Sequence, residues 1–160
     1  MNEGRKQLRK QWKKEESAGG IVYKKENNSV FILLIMPKGP NFGPPEGYWT
    51  FPKGLLDVEG ENKNQVAVRE VREEGGVNAE IKSELGYVQY FRKSIHYENT
   101  IKFVHFYLMK YVSGNPADHD NEVAQAEWVH IEEVLSKLKY PHDKEIFSKA
   151  RKKLLEINGN

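Results

Sequence analysis

Three glutamates fall within five residues of a segment that predicts a helix, residues 62–75. Residues three and four apart on a helix share a face, so Glu70, Glu73 and Glu74 should crowd an arc of about 100°. Like charges at this spacing cost a few tenths of a kcal/mol per pair, which favours a bound cation nearby. The alternative is a solvated acidic helix face. The residues expected on the opposite, core-facing side are Val68, Val71 and Gly75.

Clustered carboxylates are suitable ligands for a hard divalent metal. Mg²⁺ takes oxygen ligands and is often shared between protein carboxylates and substrate phosphates. Arg69 lies four residues before Glu73 and can orient that carboxylate through an ion pair. The local pattern therefore favours a magnesium site on this helix.

The wider pattern resembles the signature of Nudix hydrolases. That signature is Gly, five residues, Glu, seven residues, then Arg-Glu-apolar-x-Glu-Glu-x-Gly-apolar. Gly54 and Glu61 open it here, residues 69–77 complete it, and every specified position from Glu61 onward matches. Six residues instead of five separate Gly54 from Glu61. We expect the additional residue, near residues 58–59, to bulge toward solvent, because lengthening a loop by one residue costs only a fraction of a kcal/mol.

The resemblance implies hydrolysis of a nucleoside diphosphate linked to another group, assisted by Mg²⁺ or Mn²⁺. The ions would neutralise polyphosphate charge, lower the pKa of a bound water and steady the leaving oxygen. Either Glu74 or Glu70 is expected to orient or deprotonate the attacking water. Carried over by motif position, the catalytic group is Arg69, Glu70, Glu73 and Glu74. The implied metal ligands are the Lys53 backbone carbonyl, Glu70, Glu73, Glu74 and, from a later loop where it could be an ordinary acid, Glu122.

Three further features resemble the branch of the family that cleaves bis(5′-nucleosyl) tetraphosphates, the Ap4A hydrolases. They are the segment 49–54 (WTFPKG), the strand end 106–111 (FYLMKY), and residues 138–140 (LKY) ahead of 143–147 (DKEIF). The expected reaction is asymmetric cleavage of diadenosine tetraphosphate to ATP and AMP. The alternatives are an RNA 5′-pyrophosphohydrolase, a nucleoside triphosphate pyrophosphohydrolase and a non-catalytic nucleotide-binding module, although the complete glutamate set disfavours the last.

Four residues are candidates for substrate contact. Lys102 alternates with core residues on a predicted strand, so an exposed position without a role is its alternative. The tyrosines could equally be core or surface residues. His96 and His105 could also meet phosphate, but an isolated histidine is more often structural. The candidates are Lys53 and Lys102 for phosphate, and Tyr97 and Tyr140 for stacking on adenine.

The order of elements predicts one α/β domain of the Nudix type, a mixed β-sheet between helices in an α/β/α sandwich. Residues 37–48 hold four of the seven prolines, so this stretch is predicted to be a loop that borders the substrate or is a surface insertion. The predicted strands are 17–24, 30–36, 79–92, 101–112 and 126–131, and the other predicted helices are 131–138 and 143–157. The last helix should bury Ile146, Phe147, Ala150, Leu154 and Ile157.

A basic segment, residues 1–16, precedes the predicted Nudix domain, residues 17–160. The net charge of the chain is only +2, so the excess is local. The segment could contact RNA, phosphates or an acidic partner. We expect a solvated arm instead and no nucleic-acid binding. Its basic residues are Arg5, Lys6, Arg9, Lys10, Lys13 and Lys14.

Composition bounds the location and the chemistry. No apolar run approaches the roughly 20 residues of a membrane helix, and nothing near Met1 resembles a secretory signal, so a cytoplasmic location is the default expectation. The chain has no cysteine, which excludes disulfides and thiol catalysis.

Overall fold

The computed structural model describes residues 12–39, 43–45, 47–93 and 98–158. Within these ranges, no helix combines the length and apolar character needed to cross a membrane. The elements in chain order are β1 (Trp12–Glu26), β2 (Ser29–Gly39), β3 (Gly43–Pro45), β4 (Lys53–Leu55), α1 (Lys63–Gly75), β5 (Val77–Arg92), β6 (Asn99–Gly114), a 3₁₀ turn (Pro116–Asp118), β7 (Val123–His130), α2 (Ile131–Lys137) and α3 (Pro141–Asn158).

A mixed sheet of seven strands forms the frame of the described part. Its main order is β3-β2-β1-β6-β5, with β4 paired to β1 and β7 paired to β2. The β1–β6 pair is parallel, and the other pairs are antiparallel. A parallel pair needs a long crossover connection, and here that crossover carries α1. The predicted mixed sheet is confirmed.

Alternating side chains of the sheet pack into two separate hydrophobic cores, one on each face. On β6, Val104 and Phe106 face the core that α3 covers, whereas Tyr107 and Met109 face the core that α1 covers. This alternation is the two-residue period of a strand, and it places helices on both faces of the sheet. The predicted α/β/α arrangement is confirmed. The predicted inward position of Ile157 is wrong, because that side chain near the end of α3 is 49% exposed.

The first strand is longer than the sequence indicates. We expected it to begin at Ser17, but β1 begins at Trp12, and residues 12–16 pair with residues 99–103 of β6. Five residues assigned to the basic tail therefore belong to the sheet. Their charged sequence carries little strand signal, since the pairing is made by backbone groups that any residue supplies.

The proline-rich loop is shorter than predicted. Residues 37–39 continue β2, and Gly43–Pro45 form β3, which pairs with β2. Proline lacks the N–H that a central strand requires, but edge strands and irregular pairings tolerate it. Here β3 is the edge strand of the sheet, and the β2–β7 register shifts next to Pro37.

Candidate active site

Helix α1 begins and ends where the sequence predicts. The Asn62 side chain accepts a hydrogen bond from the Gln65 N–H at 2.9 Å, and the Gln65 side chain accepts one from the Asn62 N–H at 2.9 Å. Gly76 follows the helix with φ of +74°, a left-handed conformation that glycine adopts without strain. These caps fix the position of the glutamates relative to the sheet.

The inner face of α1 differs from the predicted one. Val71 and Gly75 are buried as expected, but Val68 is 37% exposed. The buried helix residues are Val66, Ala67, Val71 and Gly75. Glu70 and Glu74 follow Val66 and Ala67 by one to two turns on this same side, so both carboxylates are directed between the helix and the sheet rather than away from the core.

Glu74 is hydrogen-bonded directly to the segment 49–54. Its Oε1 accepts a hydrogen bond from the Lys53 N–H at 2.8 Å. Burial raises the pKa of Glu74 to about 8; the Lys53 N–H lowers it, and the charges of Glu70 and Asp120 raise it further. A carboxyl group with this pKa exchanges protons near neutral pH.

Glu70 occupies the space that a glycine leaves open. A Cβ added at Gly54 would lie 2.0 Å from Glu70 Cδ and 2.2 Å from its Oε1. Burial raises the pKa of Glu70, Arg69 opposes that rise, and the charges of Glu73 and Glu122 add to it. Gly54, at the start of the family signature, therefore makes room for this carboxylate.

Arg69 holds three glutamates at once. Its Nε and Nη2 donate to the Glu61 carboxylate at 2.9–3.1 Å, and its Nη1 donates to Glu70 Oε1 at 3.0 Å and to Glu73 Oε2 at 3.1 Å. The predicted Arg69–Glu73 pair is present. The contact with Glu61 was not predicted, although both residues belong to the signature.

The extra residue of the signature lies in an exposed turn. Val58 and Glu59 are solvent-exposed, and the Glu61 N–H donates to the Val58 carbonyl at 3.2 Å. Gly60 has φ of +87°, and a Cβ added there would meet no atom within 4 Å, so the turn has room to bulge. Glu61 still reaches Arg69, which agrees with the expectation that the insertion leaves the glutamates in place.

The loop before β7 is tied to the end of α1. The Asp120 N–H donates to the Glu73 carbonyl at 2.8 Å, and the Glu122 N–H donates to Asp120 Oδ1 at 3.0 Å. The charge of Glu122 acts on Glu70, and that of Asp120 acts on Glu74. The structure thus brings the predicted Glu122 toward the helix glutamates. Asp120 was missed, and its only sequence signal is an acid two residues before Glu122.

The acidic cluster fits a hard divalent cation by its donor chemistry. In the part of the chain that the structure describes, no three His, Asp or Glu side chains converge in the geometry of a formed metal site. Arg69 draws Glu70 and Glu73 toward its guanidinium. All the candidate ligand atoms are oxygens, however. Burial is the main cause of the raised pKa values of Glu70 and Glu74, neighbouring carboxylates add to it, and an Mg²⁺ or Mn²⁺ ion would favour the charged form of both groups.

A cavity of about 430 Å³ lies beside Glu74 and contains three of the predicted substrate residues. Lys102 is only 9% exposed and lies 3.6 Å from Glu15 Oε2, so the alternative of a merely exposed lysine is wrong. Residues that line the cavity include Lys53, Glu74, Tyr90, Arg92, Lys102, Tyr140 and His142.

Aromatic rings form one wall of this cavity. The His142 imidazole stacks on both tyrosine rings. Its ring centre lies 4.1 Å from that of Tyr90, with 8° between the ring planes, and 5.3 Å from that of Tyr140, with 14° between the planes. The Nζ atoms of Lys53 and Lys102 lie 6.0 and 5.9 Å from the centre of the Tyr90 ring. Tyr140 was predicted, whereas Tyr90 and His142 were missed. The alternation with buried Val88 on the same strand was the available signal for Tyr90.

The remaining candidates lie elsewhere. Tyr97 and His96 fall outside the described residues. His105 is on the other face of the sheet from Lys102, since they are three residues apart on β6. Its ring lies 5.7 Å from that of Tyr87, and burial lowers its pKa, with a further lowering by Lys63. It therefore does not line the cavity.

Comparison with known proteins identifies the family. The sequence model of the NUDIX domain matches residues 13–150. An asymmetrical bis(5′-nucleosyl)-tetraphosphatase of Mus musculus is 36% identical over 78 residues, 48% of this chain and 46% of the mouse protein. An 8-oxo-(d)GTP phosphatase of Mycolicibacterium smegmatis is 30% identical over 105 residues, 66% of this chain and 30% of that protein.

The chain is shorter than several of its relatives, and its fold matches that of a solved structure. The chain spans 30–39% of the length of three bacterial and plant relatives that it matches. A crystal structure of a Caenorhabditis elegans Ap4A hydrolase binary complex aligns with a TM-score of 0.66 at 23% identity, covering 89% of this chain and 98% of that one. This likeness concerns the fold. The match over residues 13–150 covers most of the 160 residues, and the chain therefore belongs to the NUDIX domain family.

Proposed function

We propose that this chain is a metal-dependent hydrolase of a nucleoside diphosphate linked to another group. The observation that carries the proposal is the position of the partly buried Glu74 carboxylate beside a cavity lined by lysine and aromatic side chains. Negative charge for a metal, positive charge for phosphate and rings for a base are thereby combined in one place. The complete glutamate set makes a non-catalytic module the weaker alternative.

In the proposed site, acidic residues bind the metal and basic residues bind the phosphates. The ligands proposed for Mg²⁺ or Mn²⁺ are the Lys53 carbonyl, Glu70, Glu73, Glu74 and Glu122. When bound, the metal supplies charge neutralisation and lowers the pKa of a bound water. Phosphoryl transfer depends on positioning and electrostatics, so the lysines and Arg92 need only hold the phosphates in the cavity.

Glu74 is the better suited of the two candidate bases. Burial raises its pKa to about 8, and a base is most effective when its pKa is close to the working pH. Arg69 does not line the cavity and acts instead as a positioning residue for Glu70 and Glu73. Glu70 and Glu74 both remain within the metal-binding group.

We infer that the substrate is a dinucleoside polyphosphate, with diadenosine tetraphosphate as the leading candidate. The stack of Tyr90, His142 and Tyr140 offers flat apolar surfaces for a nucleobase. Lys53 and Lys102 lie against the Tyr90 ring and place positive charge next to that surface. The name of the mouse relative supports this substrate, and that of the mycobacterial relative supports a nucleoside triphosphate as the second candidate.

The reaction can be tested by identifying its products. With Mg²⁺ present, the protein is expected to convert Ap4A to ATP and AMP, as resolved by ion-exchange chromatography. The same assay should include ADP-ribose, 8-oxo-dGTP and 5′-triphosphate RNA as competing substrates. Release of two ADP molecules, or fast turnover of a competitor beside an inert Ap4A, would contradict the substrate assignment.

A second prediction concerns the base-binding wall. Replacing Tyr140 with alanine should raise KM for Ap4A by at least about fivefold, because stacking of one base on an aromatic ring contributes ~1–3 kcal/mol. The value of kcat should change less, since the ring is proposed to hold the base and not the reacting phosphates. Tyr140→Phe keeps the ring and is the matched control. An unchanged KM in the alanine variant would remove Tyr140 from the binding site.

A further inference from the structure

Asp143, the third residue of α3, is a carboxylate with no exposure to solvent. Its Oδ2 accepts a hydrogen bond from the Thr50 hydroxyl at 2.8 Å. Its Oδ1 is buried and has no hydrogen-bond partner within the described residues. Burying a carboxylate that is only half bonded costs stability. Asp143 belongs neither to the proposed metal ligands nor to the proposed phosphate contacts, so its burial calls for another role.

Thr50, the partner of Asp143, is anchored to the sheet through its backbone. The Thr50 N–H donates to the Ile35 carbonyl, and the Ile35 N–H donates to the Thr50 carbonyl, both at 2.9 Å. Three residues further along the chain, the Lys53 N–H donates to Glu74. The segment that contains Thr50 is therefore tied to β2 on one side and to α1 on the other, and Asp143 ties the start of α3 to this segment.

The aromatic wall of the cavity, Tyr90, Tyr140 and His142, meets the chain immediately before Asp143. The Asp143 N–H donates to the Tyr140 carbonyl at 3.1 Å. Its Oδ1 lies 3.9 Å from His142 Nε2. The His142 imidazole in turn stacks on both tyrosine rings. A displacement of Asp143 would therefore move the wall.

A directional bond at this place does something that apolar packing would not. Replacing a buried polar pair with apolar side chains of similar shape is often neutral or stabilising, so stability alone does not favour a half-bonded carboxylate here. A hydrogen bond, however, holds its two groups within a narrow range of distance and angle. The bond between Thr50 and Asp143 thus defines where α3 begins relative to the segment 49–54.

We propose that Asp143 is a positioning residue for the base-binding wall. Its bond to Thr50 holds the wall at a fixed distance from Lys53 and Glu74, and so sets the distance between the bound base and the phosphates at the acidic cluster. Because Asp143 is fully buried, it acts on the substrate only through the wall. The proposal rests on the proposed function, since it takes the wall to bind a nucleobase.

NMR spectra of the full chain test the position of the wall without a substrate. The tyrosine rings that stack on His142 shift the signals of its carbon-bound hydrogens through their ring currents. His142→Gln assigns these signals by their absence. Thr50→Val removes the hydroxyl and should move the signals toward those of an unstacked histidine. Thr50→Ser keeps the hydroxyl and is the matched control, which should leave them in place. Unchanged signals in a folded Thr50→Val protein overturn the proposal.

Kinetics with Ap4A and Mg²⁺ provide a second measurement. Thr50→Val should raise KM at least about fivefold, the effect expected for loss of one hydrogen bond to a charged group. The value of kcat should change less, because the bond between Lys53 and Glu74 is made separately. Thr50→Ser should keep the wild-type KM.

A double variant separates positioning from stability. Thr50→Val combined with Asp143→Leu leaves no polar group of this pair buried without a partner, so Tm should be close to that of wild type. Its KM should remain raised and its His142 signals shifted, and it replaces Thr50→Val in both measurements if the single variant does not fold. A wild-type KM in the double variant would mean that the bond serves the fold alone, and the proposal would be wrong.

The two measurements also distinguish this proposal from the proposed function. If the wild-type chain does not hydrolyse Ap4A, the substrate assignment fails, and the His142 signals decide by themselves whether Asp143 positions the wall. If Ap4A is hydrolysed and neither KM nor the signals respond to loss of the Thr50 hydroxyl, the substrate assignment stands and the role of Asp143 is overturned.

Discussion

Replacing Glu74 with glutamine lowers kcat for the preferred substrate at least about 100-fold, the lower limit for loss of a positioned acid–base group. Glutamine has nearly the same volume, and its amide oxygen can still accept the Lys53 N–H bond that Glu74 accepts at 2.8 Å. It has no negative charge for a metal ion and cannot take up a proton. The loss should therefore affect catalysis and metal binding while the fold remains intact.

Stability as a function of pH provides an independent readout for the same variant. The pKa of Glu74 in the folded chain is about 8, above the usual 4.5, so its contribution to stability is fully present below pH 4.5 and is lost as the pH rises from 4.5 to about 8. In EDTA, wild-type Tm should therefore fall between about pH 5 and pH 8 more than that of Glu74→Gln. Glu133→Gln, at an exposed position on α2, controls for loss of a surface charge. Wild-type kcat in the Glu74 variant would exclude its catalytic role.

The acidic part of the site could be predicted from the sequence because it is local. Glu70, Glu73 and Glu74 belong to one helix, and helical geometry fixes their relation once the caps are recognised. Even so, the inner face of α1 was assigned incorrectly at Val68. A pattern of apolar residues places a valine inside, whereas the structure turns the carboxylates of Glu70 and Glu74 toward the sheet and leaves Val68 exposed.

The cavity wall could not be predicted because it is assembled from distant segments. Tyr90 comes from β5, and Tyr140 and His142 flank Pro141, the first residue of α3, some fifty residues later. No spacing rule connects a strand and a helix that meet only through the fold. The first residues of β1 were missed for a related reason, since Lys13 and Glu16 reveal nothing of the partner strand β6.

Replacing Gly54 with alanine should cost about 100-fold in activity, although the change adds a single methyl group. The backbone of Gly54 lies outside the left-handed region, so alanine itself is not strained there. The added Cβ would lie 2.0 Å from Glu70 Cδ, and an ordinary contact requires a displacement of more than 1 Å. A misplacement of that size at a group that must be held in position costs about two orders of magnitude in rate.

The partner of the clash can be removed to test this explanation. Overpacking predicts that Gly54→Ala lowers the free energy of unfolding by about 1 kcal/mol in the presence of Glu70, the low end of such costs, because the atoms that it strikes are the end of a flexible side chain. In a Glu70→Ala background the same change should cost much less, because the carboxylate that it strikes is gone, and the double-mutant cycle measures the difference. Leu55→Ala, at the next and exposed position of β4, controls for changes in the strand itself. If Gly54→Ala retains wild-type activity, or if its cost is the same in both backgrounds, Gly54 does not act by making room for Glu70.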